Sequence, residues 1–296
     1  MLPAPTSWNL DPLTIIIVLA LLAAYALALG PFRARLGMPG SPPTRRIVCF
    51  VAGWLTLALT LLSPLDTLGR YYLFSAHTLQ LFILTTITAP LLMYGMPESL
   101  VSRLIPTRAL RNATRGLLFS VFAALAFNVL IIIWHVGPLY ARALHNPVAH
   151  DIQMLCFLLA GVLTWWPLLT PMDRHTRLST PFQMLYLALE SLPLDIFGVA
   201  VLFATSILYP AYASAPRVIS WLTPTVDQQV AGALLAVPGN LIDIFLISTI
   251  FFAWIAGIER AQRERERILY ADEDALTGAI PQPQPQPAAT DTTPGA

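Results

Sequence analysis

The sequence predicts an all-α, polytopic membrane protein: a bundle of seven transmembrane helices with its N-terminus outside and its C-terminus cytoplasmic. Three observations carry that prediction. Apolar residues make up 56% of the 296 positions and charged residues only 11%, against about a quarter charged in an average soluble domain. The apolar residues fall in blocks of about 18 or more with few charges, the length that crosses a hydrocarbon core as a helix. Arginine density alternates from one interhelical loop to the next, which sets the orientation.

The first block, Leu13–Gly30, has no arginine before it and Arg33 and Arg35 after it. It reads as a retained first helix, not a cleaved leader. The others are Ile47–Ser63, Leu73–Tyr94, Leu117–Trp134, Ile152–Leu169, Phe182–Leu208 and Gln229–Ile258. Pro90, Pro167, Pro193 and Pro238 fall inside these blocks, and membrane helices tolerate them where neighbours re-satisfy the freed backbone groups. The first loop carries Arg33, Arg35, Arg45 and Arg46, and the third Arg103, Arg108, Arg111 and Arg115. The fifth carries Arg174 and Arg177, and the C-terminal segment Arg260, Arg263, Arg265 and Arg267. The alternate loops hold one each, Arg70, Arg142 and Arg217. That regular asymmetry places the arginine-rich loops in the cytoplasm.

Residues 1–258 therefore form the membrane domain and 259–296 a cytoplasmic extension. The extension opens with the alternating charges ERAQRERER from Glu259, a solvated helix end. It closes on PQPQPQP and a Thr/Ala/Gly run too poor in apolar residues to fold. No internal repeat is evident. Cys49 and Cys156 lie near opposite membrane faces and predict no disulfide. A net charge of +1 argues against a nucleic-acid partner. All the basic side chains are arginines, so a retinal Schiff base, which needs a lysine, is excluded.

Orientation turns scattered polar residues into a constellation. His77 lies just inside the outer end of the third helix, with Gln80 one turn deeper on the same face. The fourth helix ends outside at His135, the next loop carries His145, and the fifth helix begins near His150 and Gln153. Asp66 lies in the second loop, and Asp227 opens the seventh helix. An ionisable residue inside a span, such as His77, is a functional hypothesis in its own right. Imidazole and thioether together suit copper, and the soft member suits Cu(I). His150 and Met154 stand at i and i+4 and can share one site. His77, His135, His150 and Met154 are thus the candidate copper ligands, with Asp66 and Asp227 as candidates to orient the imidazoles. Structural roles at a membrane interface are the plain alternative for each.

A deeper pair, Asp195 and Asp243, lies about halfway through the last two spans, with Glu190 nearer the cytoplasm. Two carboxylates at one depth can share a proton, and Pro238-Gly239-Asn240 breaks the helix beside Asp243, as in many intramembrane ion sites. Packing by interhelical hydrogen bonds is the simpler role. The mostly apolar inner halves of the spans also count against a transport path.

Several short stretches resemble the CtaG family of cytochrome c oxidase assembly factors, the heptahelical kind associated with caa-type oxidases. They are SPLD (Ser63–Asp66) with LFSAH (Leu73–His77), WHVGPLY (Trp134–Tyr140) with ALHNPVAH (Ala143–His150), WWPLL (Trp165–Leu169), YPAYA (Tyr209–Ala213), and DQQVAG (Asp227–Gly232) leading into VPGN. They keep the family's order over roughly residues 45–255. The resemblance implies a bacterial inner-membrane protein that helps build a haem–copper oxidase by handling copper, with an oxidase subunit or other assembly factors as partners. It places His77, His135 and His150 on the family's histidines, and Asp66 and Asp227 on its acids. Family members commonly continue these motifs as HxxQH and HxxEH, whereas here Leu81 and Met154 replace the second histidines. Met154 can still ligate Cu(I), and Leu81 cannot ligate anything.

Two functions follow as expectations. The first is a non-catalytic, chaperone-like assembly factor that holds Cu(I) at the outer face and releases it to a partner. The second is a proton- or metal-coupled transporter using Asp195 and Asp243. An enzyme is not expected, since no paired nucleophile and base, phosphate loop or HExxH occurs.

Overall fold

The computed structural model describes residues 2–35, 40, 42–104, 116–169 and 178–278. Among these, the regular structure is helical throughout and no strand occurs. Seven segments are long and apolar enough to cross a membrane: Pro12–Leu29, Thr44–Leu62, Phe74–Gly95, Gly116–Trp134, Pro147–Leu169, Thr180–Leu202 and Pro224–Ala271. The seven spans read from the sequence are these, with shifted ends. The fifth starts at Pro147 instead of Ile152, because proline suits a first helical position and Asn146 Oδ1 accepts the Ala149 N–H at 3.1 Å. The seventh starts at Pro224, where Thr223 Oγ1 accepts the Val226 N–H at 3.3 Å. The sixth ends at Leu202, short of the expected Leu208.

Exposure is inverted relative to a water-soluble fold. Leu118 is 88% exposed and Phe203 75%, while His77 and His150 are 1% and Gln80 and Gln153 0% exposed. Apolar side chains cover the outside and polar ones converge inside, the distribution expected where hydrocarbon is the solvent.

The helices are α1 (Pro12–Leu29), α2 (Thr44–Leu62), α3 (Pro64–Tyr71), α4 (Phe74–Phe82), α5 (Ala89–Gly95), α6 (Glu98–Leu104), α7 (Gly116–Trp134), α8 (Gly137–His145), α9 (Pro147–Leu169), α10 (Thr180–Leu189), α11 (Leu192–Leu202), α12 (Pro210–Ala213), α13 (Pro224–Ala236) and α14 (Pro238–Gly278). Helix α2 packs on α5, α7 on α9, α4 on α13, and α11 on α13. The α11–α13 approach depends on small residues, as is usual between membrane helices. A Cβ on Gly198 would meet the Gly232 carbonyl oxygen at 3.0 Å and the Leu235 Cβ at 2.8 Å.

Three spans are interrupted, and each break has a chemical cause. In the third, a π-helical turn, Ile83–Thr88, separates α4 from α5. There the Ala89 N–H donates to the Leu84 carbonyl, five residues back. In that register the Thr85 carbonyl would await the N–H of Pro90, which has none. The Trp165 indole N–H donates to it instead at 2.9 Å. In the sixth span Pro193 follows the break between α10 and α11. The Asn128 amide bridges it, donating to the Glu190 carbonyl at 2.6 Å and accepting the Leu194 N–H at 2.9 Å. In the seventh, Pro238 separates α13 from α14, and Asn240 Nδ2 donates to the Ala236 carbonyl at 2.7 Å.

The chain divides into two compact units, Met1–Ser248 and Thr249–Ala296. In the second, the described residues continue α14, with an Arg263–Glu259 ion pair at 3.6 Å one turn apart. Cys49 and Cys156 are both free thiols. Arg108, Arg111, Arg115, Arg174, His175, Arg177 and the PQPQPQP segment lie outside the described residues.

Candidate functional site

One end of the first unit, the end expected to face outside, gathers most of the predicted polar residues. Asp66 lies on α3, the short helix formed by the second loop, whose start is fixed by Ser63 Oγ accepting the Leu65 N–H at 3.3 Å. Asp66 is 3% exposed and its carboxylate accepts from three N–H donors. Oδ1 accepts from His150 Nε2 at 2.9 Å and Gln80 Nε2 at 3.1 Å, and Oδ2 accepts from Asn9 Nδ2 at 2.9 Å. Gln80 Nε2 also donates to the Thr60 carbonyl at 3.1 Å. Asp66 thus holds the His150 ring through a hydrogen bond. Gly69 makes this possible, since a Cβ there would meet the His77 backbone nitrogen at 3.0 Å and press on Gln80 Oε1.

Asp227 does something else. Its carboxylate accepts the Phe74 N–H at 2.7 Å, the Ser75 N–H at 3.1 Å and the Ser75 hydroxyl. It therefore caps the N-terminus of α4, where backbone donors have no intrahelical partner and negative charge is favoured. The expectation that Asp227 orients an imidazole is corrected: it anchors the helix that carries His77.

The histidines divide by environment. His77 and His135 are neighbours, with ring centroids 5.6 Å apart and planes at 62°. His135 is stacked between Tyr140 at 5.6 Å and Phe157 at 5.9 Å. His77 stands edge-on to Tyr140 at 5.1 Å and Phe157 at 5.8 Å. Phe74 and Phe197 complete the walls, at 6.3 Å from His77 and 5.6 Å from His135. The tyrosine hydroxyls are occupied elsewhere. Tyr212 donates to the Gly69 carbonyl at 2.6 Å, so Tyr140, 2.6 Å from the Tyr212 oxygen, donates to Tyr212. Tyr209 donates to the His135 carbonyl at 2.9 Å. Burial holds all three phenols above their usual range.

His135 Nδ1 lies 2.8 Å from the Ile131 carbonyl, which can only accept, so Nδ1 carries the proton and Nε2 presents a lone pair. Burial pushes this imidazole down to about 4, keeping it neutral near pH 7. Its Nε2 has no protein partner, and neither nitrogen of His77 has one. The same is true of His150 Nδ1, Gln80 Oε1 and both polar atoms of the Gln153 amide. Buried side chains nearly always find hydrogen-bond partners, and each one that does not costs about 1–3 kcal/mol. Such a cluster in one region marks a place prepared for something other than protein.

The remaining predicted residues lie around this pair. Gln153 and Met154 sit on α9 between His150 and Phe157, on the face those two define by their three- and four-residue spacing. Met154 packs in the main apolar cluster with Leu57, Leu81 and Phe157 and lines a separate cavity of about 160 Å³ with Asn9, Asp66 and Asp151. His145 is exposed, its Nδ1 2.9 Å from the Ala141 carbonyl. Among the described residues no three His, Cys, Asp or Glu side chains are arranged to hold a metal ion. The aromatic walls were missed as site residues, although Tyr140, Tyr209 and Tyr212 belong to the WHVGPLY and YPAYA stretches.

The second predicted group also converges. Glu190, Asp195 and Asp243 line one cavity of about 50 Å³ with Thr85, Thr164 and Ser191, beside the breaks in the sixth and seventh spans. Glu190 accepts the Thr164 hydroxyl. Asp195 accepts from Ser191 Oγ at 3.1 Å.

Among known proteins, the profile of the cytochrome c oxidase caa3 assembly factor family matches residues 23–257. No curated protein and no solved structure matches the chain. The matched segment runs from within the first membrane helix into the seventh and includes both polar clusters, and the chain belongs to the cytochrome c oxidase caa3 assembly factor family.

Proposed function

From that membership we propose that the protein is a non-catalytic carrier that takes up copper as cargo at the His77–His135 pair, on the outer face of a bacterial inner membrane, and releases it to a subunit of the oxidase or to another assembly factor. One observation supports the reading: two adjacent imidazoles, 1% and 4% exposed, in which both nitrogens of His77 and Nε2 of His135 are buried without a protein hydrogen-bond partner. Imidazole suits copper, and a two-ligand site lets a metal leave more readily than a closed four-ligand one. The test is copper content of the detergent-purified protein after anaerobic Cu(I) loading, beside a His77→Ala/His135→Ala variant. Near-stoichiometric copper that disappears in the variant is expected. Copper at background in the wild type refutes the reading.

A second reading, proton- or metal-coupled transport, draws on the convergence of Glu190, Asp195 and Asp243 on one cavity beside two helix breaks. It requires ion flux across a proteoliposome membrane that Asp243→Asn abolishes. No flux in the wild type removes it.

A further inference from the structure

We propose that the cavity between α1, α2 and α9 is a binding site for an outer-leaflet lipid whose headgroup ends in a primary ammonium, with Asp151 as the residue that reads that headgroup. This site is separate from the histidine pair and needs no metal.

The cavity, about 160 Å³ in volume, changes character along its length. Asn9, Thr14, Asp66 and Asp151 line the end expected to face outside. Leu21 on α1 and Leu158 on α9 line it two turns deeper than Thr14 and Asp151, about 10 Å at the rise of a helix. Leu57 on α2 lines it one turn deeper than Leu61. Ile17 and Leu155 also line the cavity and are exposed on the outside of the bundle, so it opens between α1 and α9 toward hydrocarbon. A polar end near the surface and an apolar one toward the bilayer centre match an outer-leaflet amphiphile lying head outward. An apolar cavity of about this size holds a benzene-sized guest, enough room for a stretch of acyl chain.

The head is specified by what the polar end lacks. Thr14 donates its hydroxyl to Asp151 Oδ1 at 2.9 Å, while Asp151 Oδ2 is buried without a protein partner. The neighbouring groups are spent on one another. Asn9 Nδ2 donates to Asp66 Oδ2 at 2.9 Å and to the Leu61 carbonyl at 3.2 Å, and Asn9 Oδ1 accepts the Asp11 N–H at 2.9 Å. Asp66 Oδ1 accepts from His150 and Gln80. Asp151 therefore lacks a donor, and one has to come from outside the protein. Asp66 keeps its negative charge while hydrogen-bonded, and among the described residues no arginine lines the cavity, so a positive donor is favoured over a neutral one. A primary ammonium supplies three N–H groups and one charge. A choline head has the charge and no N–H. A phosphoglycerol head has hydroxyls but brings net negative charge beside Asp66 and Asp151.

The test uses the full-length protein, delipidated in detergent and offered equimolar phosphatidylethanolamine, phosphatidylcholine and phosphatidylglycerol with the same acyl chains. Bound lipid is counted by native mass spectrometry. Phosphatidylethanolamine is expected to be retained about tenfold over phosphatidylcholine, the ratio that one hydrogen bond to a charged group supports, with phosphatidylglycerol retained least. In Asp151→Asn, which keeps an oxygen for Thr14, the ethanolamine-over-choline ratio is expected to fall toward one. Ile17→Trp, at an exposed position on the mouth, is expected to lower phosphatidylethanolamine retention while thermal unfolding is unchanged. Equal retention of the three lipids by the wild type overturns the headgroup assignment, and retention of none overturns the lipid site, whatever the variants do. A preference that survives in both folded variants places the amine elsewhere on the protein and overturns the proposal.

Discussion

The histidine chamber and the acid cavity both place ionisable groups inside the bundle, and they treat them oppositely. In the cavity the two acids nearest the α10–α11 break are met by donors: Glu190 by the Thr164 hydroxyl and Asp195 by Ser191. The breaks beside them are splinted by Asn128 and Asn240. Around the histidines, Asp66 and Asp227 each accept three hydrogen bonds, while both nitrogens of His77 and Nε2 of His135 are left without partners. A satisfied buried polar group is explained by the fold, through the hydrogen bonds that hold interrupted helices together. An unsatisfied one costs stability and asks for another explanation. The contrast assigns structural work to Glu190, Asn128 and Asn240 and leaves His77 and His135 as the candidates for ligand work.

The largest expected effect tests the chamber. His77→Phe keeps an aromatic ring of similar shape and removes two unpartnered nitrogens. Bound Cu(I) is expected to fall to background while the unfolding free energy in mixed micelles rises by about 1–2 kcal/mol. Loss of copper together with a large loss of stability would mean that His77 is held by partners after all. Next is Asp227→Ala, which strips three hydrogen bonds to a charged group from the start of α4 and is expected to cost about 3–5 kcal/mol in the same titration. Asn128→Leu follows, at about 2–4 kcal/mol, because it leaves the Glu190 carbonyl and the Leu194 N–H unpaired in an apolar setting. A change under about 0.5 kcal/mol there would show that the break needs no splint.

These residues also show what the sequence could tell and what it could not. The spans were legible because bilayer thickness dictates a block length that composition reveals directly, and Pro238-Gly239-Asn240 pointed to the break in the seventh span, whereas Pro167 lies inside an unbroken helix. The pairing of Asp66 with an imidazole was legible through the family's motifs. Which imidazoles would meet was not, because His77 and His135 belong to different helices with no fixed sequence spacing between them. Asp227 was misjudged for a related reason: an acid near histidines in a motif says nothing of whether it faces a ring or a helix end. The role of Asn128 left no trace in the sequence, since one amide in an otherwise apolar helix has the same signature whether it faces a neighbouring break or its own backbone. Tyr140 stood within a recognisable motif, but only the folded chain shows that its ring, and not its hydroxyl, faces the histidines.

The smallest expected effect is the sharpest probe of the acid cavity. Glu190→Gln keeps an oxygen that can accept the Thr164 hydroxyl and removes only the capacity to ionise. If the acids are packing groups, its unfolding free energy stays within about 1 kcal/mol of the wild type, and copper loading at the chamber is untouched, because sites without shared partners act independently. The backbone bridge from Asn128 uses the Glu190 carbonyl, not its side chain, so the substitution leaves the splint in place. A stable Glu190→Gln protein that nonetheless loses a proton or metal flux present in the wild type would move the function from the histidines to the cavity. Neutral stability with unchanged copper and no flux in either protein would leave the carboxylates as part of the frame that holds α4 and its histidine in position.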